Sequence, residues 1–211
     1  MAARTNPLPL VGVAPMAAMP AMLSPEMAAS GALYAMSDNV YDTSYTVSTT
    51  YSETNHRATF ANSSSVTSVA RLLTGYGVSG QVRAIEFEPV VQGGGSLLVG
   101  LRPSLTQGTT GTGLDSGTND VAYHSSLGVY VNAVQVATPG TWGAGDKIGF
   151  IYTPAAGTVG FYLNGAIVYT ATGISGDYTP AAQGANNNTN SIRVSRSWSY
   201  GAIPGGALYW R

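Results

Sequence analysis

One short stretch constrains this chain more than any other: residues 159–170 read VGFYL-NG-AIVYT. Asn164-Gly165 lies between two β-type runs, and Asn and Gly tolerate the positive φ angles that a two-residue type I′ turn requires. The pattern therefore predicts a β-hairpin, in which the Tyr169 ring covers the bare Gly160 opposite it. The turn also predicts the cross-strand register as three facing pairs: Leu163 with Ala166, Phe161 with Val168, and Gly160 with Tyr169.

The hairpin extends upstream into a larger unit. The run DKIGFIYT ends at Thr153, and residues 154–157 (PAAG) separate it from TVGFYL. Pro and Gly in four residues between two apolar runs indicate a tight connection. We therefore expect residues 146–170 to form a three-stranded antiparallel meander.

The rest of the chain after residue 37 is also rich in short β-type segments separated by Gly, Pro and Asn clusters. Alternation from Tyr41 to Tyr51 indicates one strand, and the other candidates are Val66–Leu73, Gln81–Val90, Ser96–Leu101, Leu127–Val136, Lys147–Thr153, Thr158–Leu163, Ala166–Ala171 and Ile192–Trp198. Because no long helical period appears there, we expect an all-β, two-sheet antiparallel β-sandwich or jelly roll. The repeated TPAA at 153–156 and 179–182 is interpreted as turn chemistry used twice.

Composition excludes several functions. Nine cationic and ten anionic side chains give a net charge of −1, and only 9% of residues are charged, against about a quarter in a typical soluble domain. Such a chain has no basic field for nucleic acid or an anionic membrane. The sequence has no Cys, which excludes disulfides and thiolate metal sites. No apolar window of about 18 residues is present. We expect no nucleic-acid partner, no membrane span and no cofactor.

Residues 1–37 form a distinct compositional unit, which contains all six Met and only two charges, Arg4 and Glu26. Its four early prolines break the helical apolar segment that a secretion signal needs, so we expect none. Unbranched Met side chains fit irregular partner surfaces. We interpret residues 1–37 as an arm that anchors the protein to other subunits, with a solvated tail as the alternative. The expected anchors are Leu8, Leu10, Met16, Met19, Met22, Leu23 and Met27. The sandwich would then span 38–199 and a C-terminal tail 200–211.

The meander also carries a family likeness. Residues 145–169, GDKIGFIYTPAAGTVGFYLNGAIVY, resemble the signature of SPRY domains in the concanavalin A-like lectin/glucanase superfamily. Four other segments are similar to the family's early and closing strands and fall in the expected order: GQVRAIEFE (80–88), SLLVGL (96–101), DYTPAAQG (177–184) and SIRVSRS (191–197). The resemblance implies two antiparallel sheets packed as a bent sandwich, and recognition of protein or glycan through the end loops.

The chain as a whole resembles virion proteins of tailed phages. It combines few charges, no Cys, abundant Ser, Thr, Gly and Asn, and a Pro/Ala/Met arm ahead of the lectin-like sandwich. This likeness implies a virion location and a capsid decoration, head-fibre or tail accessory subunit, present in several copies. Capsid, portal-proximal or tail subunits would be its partners. The alternative is a receptor-binding module for a host surface glycan or protein.

Candidate catalytic and metal-binding residues are few. Glu86 and Glu88 share one strand face, and glucanases of the same superfamily use carboxylates at alternating positions, but the pattern here is incomplete. We therefore expect no catalytic centre, and interpret the pair either as part of a solvated strand face or as structural hydrogen-bonding groups. His56 and His124 fit no metal or nucleophile motif, and Asp115, Asp120 and Asp177 fit no calcium loop. A calcium site built from backbone carbonyls is not excluded by the sequence, since such ligands leave no sequence pattern.

Large aromatics mark the remaining candidate contacts. We expect Trp142 in the core. Trp198, Tyr200, Tyr209 and Trp210 are candidate ligand or interface residues. They lie in a Gly/Pro-hinged C-terminal segment that packs either on its own domain or on a neighbour. The Gly-rich segments 93–95, 104–120 and 183–190 are interpreted as loops, the last two as solvated connectors.

Overall fold

A computed structural model of the chain describes residues 49–52, 57–61, 68–71, 80–93, 95–103, 113–184, 189–195 and 198–210. The predicted arm 1–37 with its anchoring residues, most of the alternating run 41–51 and His56 lie outside the described residues. The strands in chain order are β1 Thr49–Ser52, β2 Arg57–Ala61, β3 Ser68–Arg71, β4 Arg83–Val91, β5 Leu97–Pro103, β6 Val121–His124, β7 Gly128–Val131, β8 Val134–Ala137, β9 Ile148–Thr153, β10 Thr158–Leu163, β11 Ala166–Thr172, β12 Tyr178–Gly184, β13 Thr189–Val194 and β14 Leu208–Tyr209. In this part of the chain no helix is long and apolar enough to cross a membrane.

The strands form two sheets, which confirms the predicted all-β sandwich. One sheet has the order β1-β2-β13-β4-β9-β10-β11, and β14 joins it as a parallel partner of β4. The other has the order β3-β12-β5-β6-β7-β8. Every other pairing is antiparallel. β13 pairs with the last part of β4 and β14 with its first two residues.

The core lies between the two sheets and follows from alternation along each strand. Ile85 and Phe87 of β4 are buried in it with neighbours from β9 and β10 of the same sheet, and residues of β5 and β6 in the other sheet belong to the same cluster. Aromatic rings meet edge-on within and between the sheets: the Phe161 ring centroid lies 5.2 Å from that of Phe150 on the adjacent strand β9 and 6.3 Å from that of Tyr123 in the opposite sheet. Each such side chain stabilises the fold by roughly 1.5–3 kcal/mol through burial. The predicted burial of Trp142 is confirmed, since its ring packs edge-on against Tyr123.

The predicted meander is confirmed, and its turn is the two-residue Asn164-Gly165 turn with φ angles of 50° and 83°. Leu163 faces Ala166 as predicted, but the predicted pairing of Phe161 with Val168 is wrong. Phe161 faces Tyr169, because a β-bulge leaves Val168 as an extra residue. The bulge lets Val168 and Tyr169 both pack on the core.

The same bulge changes what covers Gly160. Gly160 faces Thr170 and not Tyr169. A Cβ at Gly160 would lie 3.1 Å from Cε2 of Tyr162, so the neighbouring Tyr162 covers this glycine, and the prediction that Tyr169 does so is wrong.

One further strand prediction and one turn prediction are wrong. Leu127–Val136 is not one strand: it divides into β7 and β8 around Asn132 and Ala133, which have φ angles of 51° and 63°. Positive φ is more accessible to Asn than to most side chains. Residues 179–182 are not a turn but part of β12, which pairs with β5 along its whole length. β2 and β6 were missed, since each is only four or five residues long.

Candidate functional site: two covered faces and a loop end

The outer face of β4 holds the two carboxylates that a glucanase-like site would need. Glu86 is buried there, and its carboxylate accepts hydrogen bonds from the backbone N–H and the hydroxyl of Ser199. Beside it, the Tyr209 hydroxyl accepts a hydrogen bond from the Glu86 N–H (2.9 Å) and donates one to the Ser195 carbonyl (2.7 Å). Burial raises the pKa of Tyr209, so this hydroxyl keeps its proton. Glu86 therefore fixes the C-terminal segment on the sheet.

Glu88 lies one pleat further along the same face and carries two ion pairs. Its Oε2 accepts from Lys147 Nζ and from Arg193 Nη2. Arg193 in β13 lies directly opposite Glu88 in β4. Their ion pair therefore also links these two strands. Partial burial opposes ionisation of Glu88, but the hydrogen bonds and charges of Arg193 and Lys147 outweigh it and lower its pKa. A carboxylate held ionised in this way cannot serve as a proton donor at neutral pH.

Residues 198–210, here called the C-terminal strap, cover this outer face. Trp198 is buried against Gly149, and its ring meets Tyr162 edge-on with centroids 5.2 Å apart. Together with Ala84 and Ile151 it forms a second small core outside the sheet. The sequence left open whether the C-terminal segment packs on its own domain or on a neighbour. In the structure it packs on its own domain.

The four aromatic candidates of the strap have different surroundings. Trp198 is buried in this outer core, and the Tyr209 hydroxyl is bonded within it. Trp210 enters the main core, where it stacks on Tyr152 with an interplanar angle of 13°. Tyr200 is 47% exposed and lies over Gly165 of the hairpin turn. Of the four, Tyr200 presents the largest ring surface to a ligand.

The middle of the outer face of the other sheet is covered by residues 113–120, here called the cap loop. Leu114 is fully buried on it against Leu98, Ala122 and Ala181. Its backbone N–H donates to the Gln183 side chain. The interpretation of 104–120 as a solvated connector is therefore wrong for its described part. The loop buries apolar side chains of the sheet face and hydrogen-bonds to its Gln183 side chain.

A buried ion pair holds the cap loop. Arg102 of β5 binds both carboxylate oxygens of Asp120, with an Nη2–Oδ2 distance of 2.6 Å, and also donates to the Gly113 carbonyl. Burial raises the pKa of Asp120, although the hydrogen bonds and charge of Arg102 oppose the rise. Sequence reasoning had tested Asp120 only against a calcium loop. The signal that points to this pair is a lone Arg in the apolar run LLVGLRP.

His124 ends β6 and is also buried. Its Nδ1 accepts hydrogen bonds from the backbone N–H groups of Ser126 and Leu127, at 3.0 and 3.1 Å. The side chain thereby closes the turn between β6 and β7. Burial lowers its pKa, and the charge of Asp115 opposes that shift. His124 is therefore a buried histidine whose ring nitrogen is satisfied by hydrogen bonds within the turn. Among the described residues no group of three His, Asp or Glu side chains is arranged to hold a metal ion.

One end of the sandwich combines exposed apolar side chains with fixed polar groups. The connections β4–β5, β6–β7, β8–β9 and β10–β11 all lie at this end, because successive antiparallel strands turn back there. We call it the loop end. Val91, Leu127 and Tyr200 are each at least 40% exposed on or beside these connections. Asn164 lies beside Tyr200, and its amide is bonded to Asp146. The loop end is therefore the candidate recognition surface.

No family model matches the sequence, and no curated protein matches it. Solved structures do: the SPRY domain of human HERC1 is 18% identical, with a TM-score of 0.61 over 73% of this chain and 96% of that one. Another human SPRY domain gives the same identity and TM-score over 72% of this chain and 98% of its own. The PSpry domain of TRIM65 is 13% identical, with a TM-score of 0.54 over 74% of this chain and 90% of its own. These likenesses show a SPRY-like, concanavalin A-like β-sandwich fold.

Proposed function

We propose that the protein is a non-enzymatic structural subunit of a larger particle, namely a virion protein of a tailed phage that displays the SPRY-like sandwich. The observation that carries the non-enzymatic part is the state of Glu86 and Glu88. Glu86 is buried under Ser199, and Glu88 is paired with Lys147 and Arg193. Retaining and inverting glycosidases need one protonated and one free carboxyl group flanking a substrate. Here the strap occupies the face on which such a substrate would lie.

The composition of residues 1–37 supports the proposal that the protein is attached to a larger particle. Their Met, Ala, Leu and Pro side chains with two charges supply apolar area that a partner surface would cover. About 35 ordered residues suffice for an interface of standard size. A chain with so few charges also lacks the electrostatic steering that a freely diffusing binder of charged targets uses. In a multicopy particle, weak sites at the loop end gain avidity from repetition.

Particle association tests this proposal. An antibody against residues 38–199 would be used to probe phage particles that were purified on a density gradient from cells producing the full chain or a chain lacking residues 1–37. We expect the full chain in the particle fraction, and immunogold labelling would place it on head or tail. The shortened chain should stay folded and soluble but leave the particle. A full chain found only in the soluble fraction, or a shortened chain at normal particle occupancy, would contradict the proposal.

A second candidate function, recognition of a host glycan, is favoured by one observation. Tyr200 is an exposed aromatic ring that lies beside the polar side chains of Asn164 and Asp146. An apolar ring face next to amide and carboxylate groups suits a sugar, which stacks on the one and hydrogen-bonds to the others. Binding on a glycan array that is lost in Tyr200→Ala but retained in Leu208→Ala would support it. An array without signal above the background would count against it.

A further inference from the structure

The Asn164-Gly165 turn has a chemical property besides its shape. Asn164 is exposed, and the next residue has no side chain to hinder its backbone nitrogen. In such a pair the Gly nitrogen can attack the Asn side-chain carbonyl carbon. We propose that Asn164 is a site of spontaneous deamidation, and that the contact between the C-terminal strap and the turn controls its rate.

The covalent step is balanced with water as the only co-reactant. The Gly165 nitrogen loses its proton and forms a bond to Cγ of Asn164, while the bond from Cγ to Nδ2 breaks and ammonia leaves with that proton. The resulting five-membered succinimide ring is opened by water. Opening at one carbonyl gives aspartate at 164. Opening at the other gives an isoaspartate, in which the main chain runs through the side-chain carbon.

Three hydrogen bonds hold the Asn164 amide away from this reaction. Its Oδ1 accepts from the backbone N–H of Lys147 (2.9 Å) and from the hydroxyl of Tyr200 (3.2 Å). Its Nδ2 donates to Oδ1 of Asp146 (2.8 Å). The amide must rotate out of these bonds before Cγ reaches the Gly165 nitrogen. Of the three partners, Tyr200 belongs to the strap.

Tyr200 also lies close against Gly165, the residue whose nitrogen would attack. A Cβ at Gly165 would lie 2.6 Å from Cγ of Tyr200, so the ring lies directly on the Gly165 backbone. Undocking of Tyr200 therefore removes one hydrogen bond from the amide and releases the close contact on Gly165 in the same event. This links the rate of deamidation to the opening of the strap.

The product acts back on the strap. Aspartate at 164 replaces the N–H donor that faces Asp146 with a second negative oxygen, and two like charges at this distance repel each other. Isoaspartate adds a backbone atom to a two-residue turn, whose length sets the register of β10 and β11. Either product weakens the contacts that Tyr200 makes with residues 164 and 165. Because ammonia is lost, the modification is irreversible, and the fraction of molecules with a weakened contact between strap and turn increases as the protein ages.

The rate can be measured with a reference inside the same chain. Asn132 also lies exposed in a two-residue turn with positive φ, but Ala133 follows it. The full chain and its Tyr200→Phe variant would be incubated in mildly alkaline buffer and digested, and aspartate and isoaspartate at both sites would be quantified by mass spectrometry. We expect Tyr200→Phe to accelerate conversion at Asn164 roughly two- to tenfold, the factor that one net hydrogen bond gives an opening equilibrium. Conversion at Asn132 should not change.

Two further measurements complete the test. Asp146→Ala removes the acceptor on the other side of the amide and should accelerate the same reaction, which covers the case in which Tyr200→Phe does not fold. Asn164→Asp reproduces the product and should raise hydrogen exchange in residues 199–206. Equal rates at Asn164 in wild type and in both variants would overturn the proposal. So would a wild-type rate equal to that of a free peptide of residues 158–170, or Asn164→Asp exchange identical to wild type.

Discussion

The Trp198 ring lies directly on the backbone of Gly149, so closely that a Cβ on Gly149 would come within 2.4 Å of Cη2 of the ring. Gly149 is on the outer face of β9, opposite Glu86 of β4. The absence of a side chain at this one position leaves the space in which the strap meets the sheet. This contact joins the C-terminal segment, the Glu86 carboxylate and the middle of the larger sheet.

We therefore expect Gly149→Ala to destabilise the protein by about 1–3 kcal/mol, the usual cost of overpacking. Urea unfolding followed by circular dichroism measures this free energy. In a Trp198→Ala background the same change should cost much less, because the ring that it displaces is gone. Additive costs in the double variant would show that the ring does not lie on Gly149.

Trp210 gives a second prediction about the strap. Trp210→Ala should lower the free energy of unfolding by about 3–5 kcal/mol, because it empties a site in the main core beside Tyr152. Leu208→Ala is the matched control in the same strand β14, since Leu208 is 52% exposed; it should change stability by no more than about 0.5 kcal/mol. Equal losses in thermal or urea unfolding would mean that Trp210 is not a core residue.

The cap loop depends on Arg102 and Asp120. Asp120→Asn removes the carboxylate that binds the buried Arg102 guanidinium through both oxygens, which we expect to cost about 3–5 kcal/mol in urea unfolding. Glu88→Gln breaks two ion pairs whose Lys147 and Arg193 side chains are 22% and 44% exposed, and the expected cost is at most about 1 kcal/mol. If the two variants lose the same stability, the Arg102–Asp120 pair is as solvated as the Glu88 pair.

His124 predicts a pH dependence. Burial lowers its pKa below the ordinary value of 6.5, so the unfolded chain binds this proton more tightly than the folded one. The free energy of unfolding should therefore fall as the pH drops below about 6.5, and this loss should stop once the folded pKa is passed. His124→Asn keeps an acceptor for the Ser126 N–H but does not titrate, so its stability should lack this component. The difference between the two proteins, measured by urea unfolding from about pH 7.5 to pH 5, should shrink as the pH falls. A constant difference would contradict the assignment.

Local chemistry made much of this fold predictable. The Asn164-Gly165 turn and the meander follow from residues that are adjacent in sequence. The SPRY resemblance rests mainly on the same segment. The bulge at Val168 was not predictable in this way, because it depends on which side chains the opposite sheet can bury. β2 and β6 are too short for their alternation to be distinguished from loop sequence.

The site was harder to predict than the fold. The sequence left open whether Glu86 and Glu88 form a solvated face or structural bonds, because their partners Ser199, Lys147 and Arg193 are 59 to 113 positions away along the chain. The Arg102–Asp120 pair was missed for a similar reason, since the Gly/Thr-rich segment between them has the composition of a solvated loop. Which loop folds back on a sheet face is decided by tertiary packing.

The strap and the cap loop cover the central strands of the two outer faces of the sandwich, and this coverage is the central claim. Hydrogen exchange of the full chain, resolved to single amides, tests it most directly. The N–H groups of Ser199, Leu208 and Trp210 in the strap and of Leu114 in the cap loop donate to Glu86, Val82, Ala84 and Gln183 respectively. We predict that these four amides exchange as slowly as those of the sheet strands beneath them. Exchange at the rate of an unprotected chain would show that the faces are open, and would contradict the account.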